Sequence, residues 1–366
     1  MILLDKKKVG KAITYLRKRA GFTQKDLADR IGISDKAVSK WERGLGLPDI
    51  AYFGKLSILL DTDMDSLLAG DVIHHDMDWV GLMVLTENTD GINVGTSIYD
   101  KPMCYYLLSY FMLIGIKKIF VACRSDDESF MKMELGDGSK FGMSLIYCGY
   151  LKEDVRRLLN EEKEFSNLMV VYGRSFIYGV DQTRYFHKAM SHRDRITILS
   201  LPKKVEELEY GNSSKDMRTC KALVLNDKRE VVESDNEDKI YTQYDYYHIP
   251  VFFCPRSDLF KLTADEETFK IDFNGFKEQR LFTEVLDRGY VEMPMEDVDQ
   301  VLNVSSFVRL VQNACGMKIY CIEEIAWRRG LIDLERLKDF GEMKKQTAYG
   351  KYILSLYDRY SRIEQE

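Results

Sequence analysis

TQKDLADRIGISDKAVSKWERG, residues 23–44, decides how the first part of the chain folds. Thr23 is a natural N-cap for a helix running through Ile31, Gly32 ends that helix, and Ser34 caps the next. Leu27, Ala28, Ile31, Ile33 and Val38 are spaced to hold the two helices together. Asp35, Lys36, Ser39 and Lys40 fall on the outward face of the second. Upstream, Val9, Ile13 and Leu16 form one apolar stripe at helical spacing; downstream, Pro48 and Asp49 open a fourth helix. The pattern predicts five short helices over about residues 9–69. The pair joined by a glycine turn forms a helix-turn-helix.

That run resembles the DNA-binding domains of phage-repressor-like regulators, the Xre (Cro-type) family, nearly from end to end. The resemblance implies a double-stranded DNA operator as partner. Ser34, Asp35, Lys36, Ser39 and Lys40 would lie at the major groove, and Gln24 and Arg43 match positions that grip phosphates. Arg17 and Glu42 match a pair that forms an internal salt bridge in the family, so both are read as structural. The competing reading is a helical protein-interaction domain in which Lys36 and Lys40 are simply solvated.

The rest of the chain bounds the class. With 366 residues, 45% of them hydrophobic and 31% charged, it has the composition of an ordinary globular protein with room for two or three domains. Net charge is −6, unevenly spread: residues 1–70 carry 13 Lys/Arg against 9 Asp/Glu, and residues 71–366 carry 40 against 50. A basic module on an acidic body suits a tethered nucleic-acid reader. Seven scattered cysteines without CxxC spacing point to reduced thiols and a cytoplasmic setting. MILLDKKKVG has the wrong order for a signal peptide, and the most apolar stretch, residues 103–116, is too short to span a membrane. His74 and His75, beside Asp71, Asp76 and Asp78, read as solvated linker residues in preference to metal ligands.

After residue 79 the periodicity changes. WVGLMVL, KKIFVAC, MSLIYC, NLMVVY and ITILSL read as strands, and helices begin near Pro102, Asp126, Glu153 and Asp181. The expected organisation is an all-α helix-turn-helix domain at 1–70, a linker at 71–79, and an α/β domain at 80–366. That domain has a mostly parallel, Rossmann-like sheet and a helical C-terminal tail. Ligands in such sheets bind at the carboxyl ends of the strands. YTQYDYYHIP reads as a strand with its approach, and the acidic pair Asp126 and Asp127 as a helix start.

The blocks YDKPM, LGDGSKFG, NLMVVYGRSFIYG, RGYVEMPMEDVDQVLNVSSFVRLVQ and MKIYCIEEIAWRRGLIDLERLKDF resemble, in order, the sugar-1-phosphate nucleotidylyltransferases of the glucose-1-phosphate thymidylyltransferase kind. The resemblance implies the nucleotide-diphospho-sugar transferase fold. It also implies catalytic parts that this sequence lacks. Where the family has a GGxGTRL loop, with a lysine shortly before YDKPM, this chain reads TENTDGINVGTSI, shorter and without arginine or lysine. Where the family has a GDN aspartate stand Gly173, Arg174 and Ser175; where a second aspartate belongs stands Pro294. The expectation is a pseudoenzyme with no catalytic residues, no metal and no cofactor. The alternative is an active or altered nucleotidylyltransferase with an accessory DNA-binding module.

Two ligand hypotheses remain. Relatives of this type often carry a second nucleotide site near a subunit interface, and Tyr178, Gly179, Glu324, Ile325 and Arg328 match positions that contribute to it. The family's downstream histidine is missing, and Ile325 suits the core equally well. Arg174 suits a phosphate in the vestigial cleft, or a bridge to a nearby acid. Together these readings give a cytoplasmic transcriptional regulator, forming a homodimer or higher homo-oligomer, with a nucleotide or nucleotide-sugar effector. A ligand-independent scaffold that only dimerises the reader is the third possibility.

Overall fold

The computed structural model describes residues 5–20, 22–60, 62, 64–70, 78–85, 91–202, 223–225, 231–234, 246–262, 281–287 and 289–363. His74 and His75 lie outside the described residues, as do residues 86–90 and 241–245 of the segments singled out above.

Five helices come first: α1 Lys6–Arg19, α2 Gln24–Ile31, α3 Asp35–Glu42, α4 Ile50–Leu59 and α5 Met64–Ala69. Their ends are set by local chemistry. Thr23 and Asp26 form a reciprocal capping box, Ser34 accepts from the Ala37 N–H, and Asp49 accepts from the Ala51 N–H. Gly32 ends α2 with φ +78°, a left-handed conformation that favours glycine. Val9, Ile13, Leu16, Leu27, Ala28, Ile31, Val38 and Trp41 make one core, against which Ile33 is partly buried. α1 and α3 nearly touch: a Cβ on Gly10 would lie 2.2 Å from the Trp41 carbonyl oxygen.

The second part is built on a sheet. Its strands are β1 Trp79–Val84, β2 Ser97–Ile98, β3 Lys101–Pro102, β4 Lys118–Ala122, β5 Ser144–Cys148, β6 Asn167–Tyr172, β7 Ser175–Tyr178, β8 Ile196–Pro202, β9 Leu223–Leu225, β10 Val231–Ser234, β11 Tyr246–Pro255, β12 Leu281–Val285 and β13 Val291–Pro294. β5, β4, β1 and β6 lie side by side in parallel; β11 then runs antiparallel to β6 and β8, and β12 is parallel to β8. The predicted linker runs one residue too far, since Trp79 already pairs with Asn167.

β1 is buried on both faces, as a central parallel strand requires. Trp79 and Met83 enter one apolar cluster, and Val80, Leu82 and Val84 the other. The helix Met103–Leu113 covers the first face, and Gly81 allows its approach: a Cβ there would lie 2.7 Å from the Phe111 ring. The helix Lys152–Glu161 buries Val155 and Leu159 against the second. The helical tail, Ile322–Arg328, Leu334–Met343 and Ala348–Ile363, joins the first cluster through Ile322, Leu337, Phe340 and Ile353. Each such large apolar side chain contributes about 1.5–3 kcal/mol on burial. Among the described residues no helix is long and apolar enough to cross a membrane.

Candidate nucleic-acid interface and candidate ligand cleft

α3 presents Asp35, Lys36 and Lys40 as exposed residues, with Ser34 exposed at its cap and Ser39 partly so. Behind it, Arg17 on α1 grips Glu42 at the end of α3: Nε to Oε1 is 2.5 Å and Nη2 to Oε2 is 3.0 Å, while Nη1 donates to the Phe22 carbonyl at 2.7 Å. Both charged side chains are nearly buried, so this internal pair fixes the angle between the helices. Gln24, expected at phosphates, also faces inward in part: its Nε2 donates to Glu42 Oε2 at 2.7 Å. The carboxylate of Glu42 collects donors from α1 and α2, which explains why that end of Gln24 is turned from the surface. Arg43 is exposed, and its Nε donates to the Ser39 carbonyl at 3.3 Å.

In the α/β part, the two positions where carboxylates are expected come together. β7 and β13 pair antiparallel with Ser175 opposite Pro294, and the Met295 N–H donates to the Arg174 carbonyl at 2.9 Å. An arginine and a proline therefore occupy one place just beyond the carboxyl end of β6. The Arg174 guanidinium points inward, 2% exposed, with Nη2 2.8 Å from Asp127 Oδ2. Asp127 is fully buried, and its other oxygen accepts from the Val94 N–H at 3.1 Å. Of the two readings of Arg174, its guanidinium makes the bridge to an acid.

The segment before β2 is packed down at the same point. Ile92 and Val94 are buried, and a Cβ on Gly95 would lie 2.7 Å from the Phe130 ring, so any larger residue there has to displace that ring. The YDKPM lysine is equally enclosed. Lys101 Nζ sits 2.9 Å from Asp100 and 4.3 Å from the centre of the Tyr106 ring, and burial lowers its pKa against the pull of Asp100. Magnesium, which the fold family implies, does not fit this donor set: Asp127 is already paired with a guanidinium, and Glu292 on β13 accepts from the Ser175 hydroxyl. Among the described residues, no group of three His, Cys, Asp or Glu is placed to hold a metal.

The residues of the second candidate ligand site make internal contacts, while the Arg328 side chain stays 51% exposed. Glu324 is nearly buried, accepting from Arg328 Nε at 2.8 Å and from the Tyr352 hydroxyl at 2.6 Å. Burial pulls the Arg328 pKa down, but the hydrogen bond and charge of Glu324 outweigh it and hold it above its ordinary value. Ile325 is half-buried against the core. Tyr178 lies in an aromatic cluster with Phe176, Phe307 and Tyr320, and Gly179 lies under Tyr290, where a Cβ would meet the ring at 2.3 Å.

Asp127 is the residue that sequence reasoning missed. It sits in the first turn of the helix Ser125–Glu134, as the acidic pair predicts, but it turns into the sheet's carboxyl edge. The available signal was its position directly after β4, at the strand ends where ligand chemistry concentrates.

Known proteins divide the chain at the same place. The helix-turn-helix family model matches residues 13–67. Over the remainder the chain is similar to the glucose-1-phosphate thymidylyltransferase of Neisseria meningitidis serogroup A / serotype 4A, 29% identical over 269 residues, covering 71% of this chain and 90% of that protein. The enzyme of the same name from Mycolicibacterium smegmatis is 27% identical over 270 residues, covering 72% and 90%. A solved structure from Bacillus anthracis, described as a candidate glucose-1-phosphate thymidylyltransferase in complex with a sucrose, is 12% identical with a TM-score of 0.49, covering 63% of this chain and 95% of that one. The chain joins an Xre-type helix-turn-helix domain to a glucose-1-phosphate thymidylyltransferase-like domain.

Proposed function

We propose that this protein is a cytoplasmic DNA-binding transcriptional regulator whose large domain has the fold of a sugar nucleotidylyltransferase without its chemistry. In this reading residues 1–70 bind an operator, 71–78 link, and the part from β1 onward senses a ligand or builds the oligomer. The observation that carries it is the Asp127 carboxylate shared between Arg174 and the Val94 N–H. A triphosphate and its metal need backbone N–H groups, free cations and free carboxylates at the strand ends. Here a buried internal anion takes up a backbone donor of the loop and the nearby cation together. The effector is a nucleotide or nucleotide sugar, taken either at this cleft or at the surface around Tyr178, Gly179, Glu324, Ile325 and Arg328.

Thermal shift of the full chain tests the division. A thymidine nucleotide sugar should raise the melting temperature without metal. Stabilisation by a nucleoside triphosphate that depends on magnesium would instead favour the active-enzyme alternative.

Pairing of two copies is part of the proposal, because one short recognition helix gives limited affinity and repressor-like modules bind two half-sites about 34 Å apart. The helix Val298–Cys315 supports it: Leu302 and Leu310 are 58% and 70% exposed, with the small Ser306 midway between them. A second copy laid antiparallel about Ser306 brings each Leu302 to the other's Leu310, as a two-fold interface requires. Light scattering of the full chain should give a dimer or larger, reduced in mass by Leu310→Asp. A wild-type monomer would remove this element.

A further inference from the structure

The turn after α3 gathers cationic side chains from two helices, and its glycines make the approach possible. A Cβ on Gly44 (φ +69°) would lie 3.0 Å from both Cα and Cγ of Lys7 and 3.3 Å from the Lys6 carbonyl oxygen. The first turn of α1 therefore rests directly on the residue that follows Arg43. At Gly46 a Cβ would lie 3.3 Å from Cε, 3.7 Å from Cδ and 3.8 Å from Cγ of Lys40. The Lys40 stem is laid along the turn, toward the C-terminal end of α3. Arg43 immediately precedes Gly44, and its Nε is turned back to the Ser39 carbonyl. Lys6, Lys7, Lys40 and Arg43 are all exposed.

The acids nearby are engaged elsewhere. The Glu42 side chain faces inward to Arg17 and Gln24. Asp5 accepts from the Lys7 and Lys8 N–H groups as the cap of α1, and Asp49 accepts from Ala51 as the cap of α4. Set against the exposed Asp5 carboxylate, four positive charges remain outward, two on the first turn of α1 and two at the end of α3.

We propose that Lys6, Lys7, Lys40 and Arg43 form a phosphate-gripping ridge beside the C-terminal end of the recognition helix, and that Lys40 belongs to this ridge and not to the base readers. The inference rests on the DNA-binding reading above. The N-terminal residues of a recognition helix reach base edges, which leaves Lys36 as the sequence-reading lysine. Lys40 is laid against Gly46 at the far end of α3, where its flexible ammonium stem suits a point charge on a phosphate. α1 thereby contributes phosphate contacts from outside the two helices of the motif.

The test is a salt titration of the full-length protein on an operator selected from random duplexes, with a scrambled duplex beside it. Lys7→Gln and Lys40→Gln should each reduce the slope of log K against log salt by about 0.9. Both should weaken operator and scrambled duplex alike, so that their affinity ratio stays at the wild-type value; Lys7→Arg and Lys40→Arg should restore the slope. Lys36→Ala should lower the operator affinity and collapse the ratio. Lys40→Gln acting on the operator alone would return Lys40 to the base readers and overturn the inference. Unchanged slopes in folded Lys7→Gln and Lys40→Gln, with Lys36→Ala still defective, would overturn the ridge while leaving DNA binding intact. If the wild type binds neither duplex, the DNA-binding reading itself fails, and the ridge with it.

Discussion

Each half of this chain contains a buried arginine–carboxylate pair, and the two do opposite things. Arg17 and Glu42 meet through two contacts behind the recognition helix, and their burial leaves the outward face of α3 and its following turn free and positively charged. Arg174 and Asp127 meet at the sheet's carboxyl edge, where a nucleotidylyltransferase keeps its ligand chemistry, and their pairing occupies that edge. Under the proposed function, the ion pair in one domain supports a functional surface from below, and in the other it stands in the place of one. Position in the fold, and not the chemistry of the pair, sets its meaning.

The largest expected effect comes from breaking the cleft pair. Asp127→Ala leaves a guanidinium buried at 2% exposure, and should lower the stability of the large domain by about 3–5 kcal/mol in urea unfolding. Replacing both partners with apolar residues, as in Asp127→Leu with Arg174→Met, should recover most of that loss. Arg17→Ala should cost less, about 1–3 kcal/mol, because the Gln24 amide stays on Glu42. Equal losses at the two pairs would erase the contrast between them.

Gly179 sharpens the comparison within the large domain. A methyl at this position meets the Tyr290 ring, so Gly179→Ala should destabilise by about 1–3 kcal/mol, and Tyr290→Leu in the same chain should relieve it. No destabilisation in Gly179→Ala, together with loss of an effector's thermal shift, would make this glycine a ligand residue and not a packing one. On the other side, Lys36→Ala should weaken operator binding by about 1–3 kcal/mol with the fold intact, as read by titration and circular dichroism. Wild-type affinity in that variant would reduce α3 to a solvated helix.

Much of this was legible in the sequence, for reasons that differ between the domains. The helices of the first part are specified by neighbours: Thr23 with Asp26, Gly32, and Ser34 with Ala37 all act within three or four residues, so pattern reading placed α2 and the start of α3 to the residue. The strands were legible because apolar runs such as NLMVVY are buried on both faces of the sheet. What could not be read was who meets whom. Asp127 and Arg174 are 47 residues apart, and nothing local marks one as the other's partner. Pro294 and Arg174 were each identifiable as an unusual residue, but only the β7–β13 ribbon sets them side by side. The same limit hid the Gln24 contact with Glu42 and the closeness of Lys7 to Gly44, which depend on how α1, α2 and α3 cross.

The smallest expected effect is a pH dependence confined to the reader. Hydrogen bonds from Thr23, side chain first and then backbone, hold the Asp26 pKa below its ordinary value. A depressed carboxylate contributes stability that is present above its unfolded pKa and lost as pH falls through the folded value. Asp26→Asn should therefore flatten the acid limb of the helix-turn-helix melting curve below about pH 4 and leave the large domain's transition unmoved. An identical acid limb in both proteins would mean the capping box contributes nothing measurable.

The central claim, that the large domain keeps the fold of a nucleotidylyltransferase without its chemistry, is tested most directly by pyrophosphate release. Purified full-length protein is given dTTP, glucose 1-phosphate and excess magnesium. The account predicts release at the level of the protein-free control, because Asp127 and Arg174 fill the cleft edge with an internal ion pair. Turnover above that level that survives purification to homogeneity, and disappears in the folded Asp127→Leu/Arg174→Met variant, would contradict it.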